Sequence, residues 1–220
     1  MRYENISSEN ICYIVGSMKM GAEAFMPKEG DLVIAADGGY ENLKQLNIKP
    51  SILLGDFDSI GKIPEEEKII KLPVEKNDTD TFYAVKLGLK KGYKKFVIYG
   101  GTGGRLDHTI ANIQILAFLE GKKCTGYLIG NGTIITVIKD RKIMFSADHK
   151  GVISVFCYGG MASGVSLKGL KYPLLNYTMR NTVPLGVSNQ FIGKDSSVEV
   201  RDGMLIVIWY DQNPNILTFS

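Results

Sequence analysis

Short apolar runs alternate with helix-like segments through the first 125 or so residues of this chain. The runs are 11-ICYIVG-16, 31-DLVIAAD-37, 51-SILLGDF-57, 69-IIKLP-73 and 96-FVIYGG-101. A strand covered on both faces of a parallel sheet is apolar along its whole length rather than at alternate positions, and these runs have that form. Between them, 40-YENLKQLN-47, 80-DTFYAVKLGLKKG-92 and 106-LDHTIANIQILAFLEGK-122 carry helix patterns. In the last of these, Leu106, Ile110, Ile113 and Ala117 recur at three- and four-residue intervals and predict one packed stripe. Gly92 and Gly121 stand where helices commonly end. This half reads as α/β with a mainly parallel sheet.

Beyond about residue 125 the helical signal stops. Strand patterns follow at 125–131, 133–139, 152–159, 164–172, 197–203 and 204–210, punctuated by Asn131-Gly132, Gly159-Gly160 and Asp202-Gly203. Such a series predicts an antiparallel β-sandwich or open barrel. The change of pattern divides the chain into residues 1–130 and 131–220, with the boundary expected between 124 and 150.

At 220 residues the chain can bury a substantial core, and its net charge of +3 is too small to point to nucleic acid as the main partner. Cys12, Cys124 and Cys157 are scattered in or beside apolar runs without CxxC spacing. That argues against a disulfide framework or zinc site and suits a reducing compartment. No apolar run approaches the length of a membrane span and the first residues lack a signal core, so a cytoplasmic protein without membrane partners is expected.

The chemistry is concentrated where the aspartates fall. Asp37 ends a strand run and precedes Gly38-Gly39; Asp56 and Asp58 end the next; Asp78 and Asp80 precede a helix; Asp107 follows 100-GGTGGR-105 and opens another. In an open parallel sheet, ligands bind beyond the carboxyl ends of the strands, the edge to which all four clusters map. Each has a bland reading: Asp37 as a turn residue, Asp80 and Asp107 as helix N-caps. Asp56 and Asp58 resist one, because an i,i+2 pair on extended backbone faces the same side and repels. Phe57, between them, would point into the domain.

Six converging acids call for a cation, and Mg²⁺ takes carboxylate oxygens together with water and phosphate oxygens. His108 and His149 are far apart and are expected to be non-ligands. The glycines around Gly101 and Thr102 would let backbone approach a phosphate, a helix amino terminus would face it, and Arg105 would add charged donors. The loop lacks the Gly-Lys-Ser/Thr ending of a P-loop, and 14-IVGSMKMG-21 lacks a dinucleotide fingerprint.

Taken in order, 35-AADGGYENL-43, 54-LGDFDSI-60, 77-NDTDTFYAV-85, 99-YGGTGGRLDHTIANI-113, 168-KGLKYPL-174 and 187-VSNQF-191 resemble the thiamine pyrophosphokinase family. The resemblance spans nearly the whole chain. It implies a Rossmann-like α/β domain followed by a β-sandwich domain that binds thiamine and dimerises. It also implies a homodimer with thiamine held between the α/β part of one chain and the β part of the other. The reaction implied is Mg²⁺-dependent transfer of diphosphate from ATP to thiamine, giving thiamine diphosphate and AMP.

By resemblance, Asp56, Asp58 and Asp80 hold Mg²⁺, while Thr79, Arg105 and Asp107 line the ATP and reaction site. Asp37, with Gly38, lies beside the nucleotide. Ser188 and Asn189 belong to the thiamine and ATP end, and Tyr172 stands where some members carry tryptophan. The thiamine hydroxyl must lose a proton; Asp78 and Asp107 are both candidates to accept it, and sequence does not choose between them. Two rival readings are a pyrophosphokinase acting on another alcohol, such as a hydroxymethylpterin, and a non-catalytic sensor of thiamine or nucleotide.

Overall fold

The computed structural model describes residues 9–20, 25–56, 68–73 and 77–210. Its first part contains β1 (Ile11–Val15), β2 (Leu32–Ala36), α1 (Gly39–Gln45), β3 (Ile52–Gly55), β4 (Ile69–Lys71), α2 (Asp80–Lys90), β5 (Lys95–Tyr99), α3 (Leu106–Gly121) and β6 (Thr125–Gly130). The six strands pair in parallel, in the order β4-β3-β2-β1-β5-β6.

The continuous apolar runs have the meaning expected of them. Along β1, Cys12 and Ile14 enter one core while Tyr13 and Val15 enter the other, so successive residues serve opposite faces of the sheet. Residues Ala84 and Val85 of α2 and Leu116 and Leu119 of α3 cover the first face; Leu43 of α1 covers the second. The second core continues into the later strands through Phe145, Val165, Leu167 and Trp209. None of the described helices is long and apolar enough to cross a membrane.

The predicted stripe on α3 is only half correct. Ala117 is buried and Ile113 packs at the edge of the core, but Leu106 and Ile110 are 72% and 52% exposed. The residues that α3 buries all lie at or after Asn112. The helix is apolar on most sides, so its periodicity could not select the face that meets the sheet.

The second part contains β7 (Thr133–Lys139), β8 (Lys142–Phe145), β9 (Val152–Lys168), β10 (Leu174–Arg180), β11 (Gly186–Gln190), β12 (Ser196–Glu199) and β13 (Asp202–Tyr210). These strands pair antiparallel with one another. The run at 125–131, which reads with the later strands, pairs in parallel with β5 as β6. Asn131 and Gly132, both at positive φ, then turn the chain into β7, which pairs antiparallel with β6. The sheet therefore passes without a break from the parallel to the antiparallel part.

Other boundaries move as well. Gly159-Gly160, expected to be a turn, lies inside the 17-residue β9. That strand pairs with β13 and β11 through its first part and with β10 and β12 through its last, with register irregularities on the way. Asp202-Gly203 opens β13 rather than closing the strand before it.

Candidate active site

The loops after β1 and β5 lie back to back. The Gly16 and Met18 amides donate to the carbonyls of Tyr99 and Gly100 at 2.8 and 3.0 Å. Only glycine allows this approach: a Cβ on Gly16 would come within 2.7 Å of the Gly100 carbonyl oxygen. The turn after β2 closes equally tightly, since a Cβ on Gly39 would stand 1.8 Å from the Val15 carbonyl oxygen. Asp37, at φ 50°, anchors that turn by donating its amide to Leu54 at 2.8 Å. The end of β3 lies against it, Gly55 packing within contact of the Asp37 backbone. The ends of β1, β2, β3 and β5 thus meet at one carboxyl edge, as anticipated.

A cleft of about 200 Å³ opens there, lined by Ser17, Asp37, Thr79, Asp80, Gly101, Thr102, Gly104, Arg105 and Asn112 among others. Five of the sequence-derived aspartate, threonine and arginine candidates (Asp37, Thr79, Asp80, Thr102 and Arg105), together with Gly101, thus face one space. Gly38, the residue before α1, follows Asp37 in the turn but does not line the cleft. Asp56 follows β3 at the same edge, half-buried, whereas Asp58 and Phe57 lie outside the described residues. A larger recess of about 400 Å³, lined by Glu120, Lys123, Asp140 and Arg141, opens at the start of β6, away from the strand-end acids.

The expected capping roles shift by one or two residues. Thr79, not Asp80, is the N-cap of α2, its hydroxyl accepting from the Phe82 amide at 3.2 Å. Asp80 stands in the first turn, so its carboxylate is not the capping group. Arg105, not Asp107, occupies the cap position of α3. Asp107 is clasped by Arg105 through Nε at 3.2 Å and Nη2 at 2.5 Å, and accepts from the His108 amide at 3.0 Å. The Arg105 guanidinium holds the Asp107 carboxyl below its usual range, and the carboxylate in turn raises Arg105. Asp78 turns away to an ion pair with Lys86 at 2.7 Å and does not line the cleft.

The candidates in the second part form a separate cluster. Asn189, 3% exposed, accepts from the Tyr172 amide at 2.9 Å and donates to the Tyr172 carbonyl at 2.7 Å. It fixes the backbone beneath an exposed Tyr172 ring. Ser188 takes φ 59° and donates its amide to Ser154 at 3.0 Å. His149 is buried between Phe145 and Phe191, while His108 is exposed on the rim of the cleft.

Two asparagines of the site were not singled out from sequence. Asn42 of α1 donates to Gly16 and Met18 carbonyls at 2.8 and 2.9 Å, and Asn112 of α3 donates to Gly101 at 2.7 Å. The available signal was local: an asparagine inside the apolar run 110-IANIQIL-116 opposes helix propensity and needs a compensating bond.

With the motifs assembled in this geometry, relatives can be compared over the whole fold. Residues 26–128 match the family model for the thiamin pyrophosphokinase catalytic domain, and residues 137–205 match that for the thiamin pyrophosphokinase vitamin B1 binding domain. Thiamine pyrophosphokinase of Bacillus subtilis is 31% identical over 188 residues, covering 82% of this chain and 87% of its own. A crystal structure of the enzyme from the same organism matches with a TM-score of 0.83 at 25% identity, over 93% of this chain and all of that one. Yeast thiamin pyrophosphokinase shares the fold at 18% identity, with a TM-score of 0.72 over 96% of this chain and 90% of its own. Matching models along both parts of the chain, and a curated relative aligned over most of its length, place this chain in the thiamine pyrophosphokinase family.

Proposed function

We propose that the chain is a thiamine diphosphokinase. It transfers the terminal diphosphate of ATP to the hydroxyethyl oxygen of thiamine, giving thiamine diphosphate and AMP. In a chain of this family, the observation that carries the reading is the convergence of Asp37, Thr79, Asp80, Gly101, Thr102 and Arg105 on one cleft at the carboxyl edge of the sheet.

In the transfer, the thiamine oxygen forms a bond to the β-phosphorus as the bond to the α-bridging oxygen breaks. The thiamine hydroxyl gives up its proton and AMP departs. Arg105 retains guanidinium N–H groups beyond the two given to Asp107 and offers them to the phosphates. The lowered pKa of Asp107 makes it a better orienting partner for Arg105 than a proton acceptor.

Asp56, Asp58 and Asp80 are assigned to Mg²⁺. Their all-carboxylate donor set fits a hard cation, and the assignment is supported by Asp80 lining the cleft and Asp56 following β3 at the same edge of the sheet. When bound, the ion supplies neutralisation of charge on the transferring phosphoryl oxygens.

The second part, proposed as a β-sandwich domain over 131–220, supplies Ser188, Asn189 and Tyr172 to the thiamine end of a site completed by a second copy. Topology supports this. From β5 to β11 the path crosses β6, β7, β13 and β9, which is five inter-strand steps or roughly 24 Å along the sheet. Exposed apolar side chains stand close in sequence to each half-site: Leu106 beside Arg105, and Leu185 and Val187 beside Ser188. Three cysteines kept as buried free thiols support a reducing cytoplasm.

The test is to incubate the protein with ATP, Mg²⁺ and thiamine and to identify the products. AMP with thiamine diphosphate is expected. ADP with thiamine monophosphate, or transfer only to a pterin alcohol supplied in place of thiamine, would overturn the assignment.

A further inference from the structure

The loops at 16–18 and 100–105 carry backbone carbonyls to a place where a polyphosphate would meet them. Carbonyl oxygens repel phosphate, so a cleft of this kind must dispose of them. Here five are occupied by protein donors: Gly16 and Met18 by Asn42 Nδ2, Tyr99 by the Gly16 amide, Gly100 by the Met18 amide, and Gly101 by Asn112 Nδ2. In contrast, the backbone amides of Ser17, Thr102 and Gly104, all lining the cleft, meet no protein acceptor among the described residues. At Gly16, Met18 and Gly101 the carbonyl is consumed by a side chain, whereas Ser17, Thr102 and Gly104 keep both amide and carbonyl without a protein partner among the described residues.

Three of the five carbonyls are quenched by just two side chains. Asn112 is 4% exposed and Asn42 is half-buried, and both lie within helices rather than at their caps. We propose that Asn42 and Asn112 are positioning residues that make the cleft selective for anions. They draw the Gly16, Met18 and Gly101 carbonyls into internal hydrogen bonds and so tip the balance of open backbone groups in these loops toward the amides that phosphate oxygens need. The inference rests on the reading that this cleft takes the phosphates of ATP.

The experiment uses full-length protein with Asn42→Ala, Asn112→Ala, Asn42→Asp and Asn112→Asp variants. Calorimetric titration with ATP and with inorganic tripolyphosphate is set beside steady-state KM values for ATP and thiamine. Freeing a carbonyl beside the phosphates weakens tripolyphosphate and ATP binding by about tenfold or more in the alanine variants. Aspartate keeps the shape but turns the donor into an acceptor, so its effect must exceed that of alanine at each position. KM for thiamine stays within about twofold, since the lost interaction is with the other substrate.

Aspartate variants that bind tripolyphosphate as well as or better than the alanine variants would show that shape alone matters and overturn the proposal. So would wild-type affinity in all four. Should Asn112→Asp not fold, Asn42→Asp, at a half-buried position, carries the comparison. Wild-type protein that binds neither ATP nor tripolyphosphate would remove the reading of the cleft itself; wild-type binding matched by every variant would remove only the positioning role.

Discussion

Asp107 shows how a single contact changes a residue's chemical prospects. Both of its carboxylate oxygens are engaged by Arg105, and its pKa is held down as a result. A proton acceptor works best with a pKa near the working pH, and this one is moved further below it. Asp107→Asn should therefore lower kcat by less than about tenfold, below the range typical of a lost general base. A hundredfold loss in steady-state assays would restore Asp107 as the base. Asp56→Asn and Asp80→Asn should each lower turnover by about a hundredfold or more and raise the Mg²⁺ concentration needed for half-activity, read in a metal titration. The acids were legible in the sequence because strand ends in a parallel sheet share an edge. Asn42 and Asn112 were not, because their role depends on which carbonyls the fold brings beside them.

Among the elements, α2 depends on its first turn. Thr79 caps it, leaving Asp80 to place its charge at the helix amino end, where negative charge is favourable. Thr79→Ala should cost about 1 kcal/mol of stability in denaturant unfolding. The junction of α3 with the β7–β8 turn is held by Arg141, whose Nε donates to Glu120 Oε1 at 3.1 Å and whose Nη2 pairs with the same oxygen. Burial raises the Glu120 pKa more than Arg141 lowers it. An acid whose folded-state pKa is raised contributes stability below its unfolded value, near about 4.3, and loses that contribution as pH rises through the folded value. The stability of wild type relative to Glu120→Gln should accordingly decline as pH rises from about 4 through the folded value, measured by unfolding across that range.

Most strands of the parallel part could be placed from pattern because nearly every residue of β1, β2, β3, β5 and β6 is buried. The edge strands β8, β10 and β11 could not. β10 is mostly exposed and β8 alternates exposed with buried residues, and β11 buries only Gly186 and Asn189; none carries the continuous apolar run that marks a strand covered on both faces.

For the whole molecule, the separation of the two residue clusters along the sheet sets the strongest test of assembly. The protein should sediment as a dimer of 24.3 kDa chains. Aspartate substituted at Leu106 or Leu185, both exposed apolar positions, should shift it toward monomer with loss of turnover. If each site joins the cleft of one copy to the Asn189 cluster of the other, Asp80→Asn and Asn189→Ala proteins will complement each other. Equal mixing gives half heterodimers, each with one intact site, and so about a quarter of wild-type activity. No recovery after subunit exchange would place both clusters of a site in the same chain. The sequence pattern announced two fold classes in succession but not their continuity, since the Asn131-Gly132 hairpin that welds them reads as an ordinary turn.

The place of β13 within that sheet has a consequence for how the protein is made. The last of the described strands to be synthesised, it lies between β7 and β9 rather than at a margin. During translation those two strands must wait with facing edges open until residues 202–210 leave the ribosome. An open edge is a template for unwanted pairing. A nascent chain stalled before Asp202 should therefore be captured by chaperones, whereas one released with β13 complete closes the sheet from its centre.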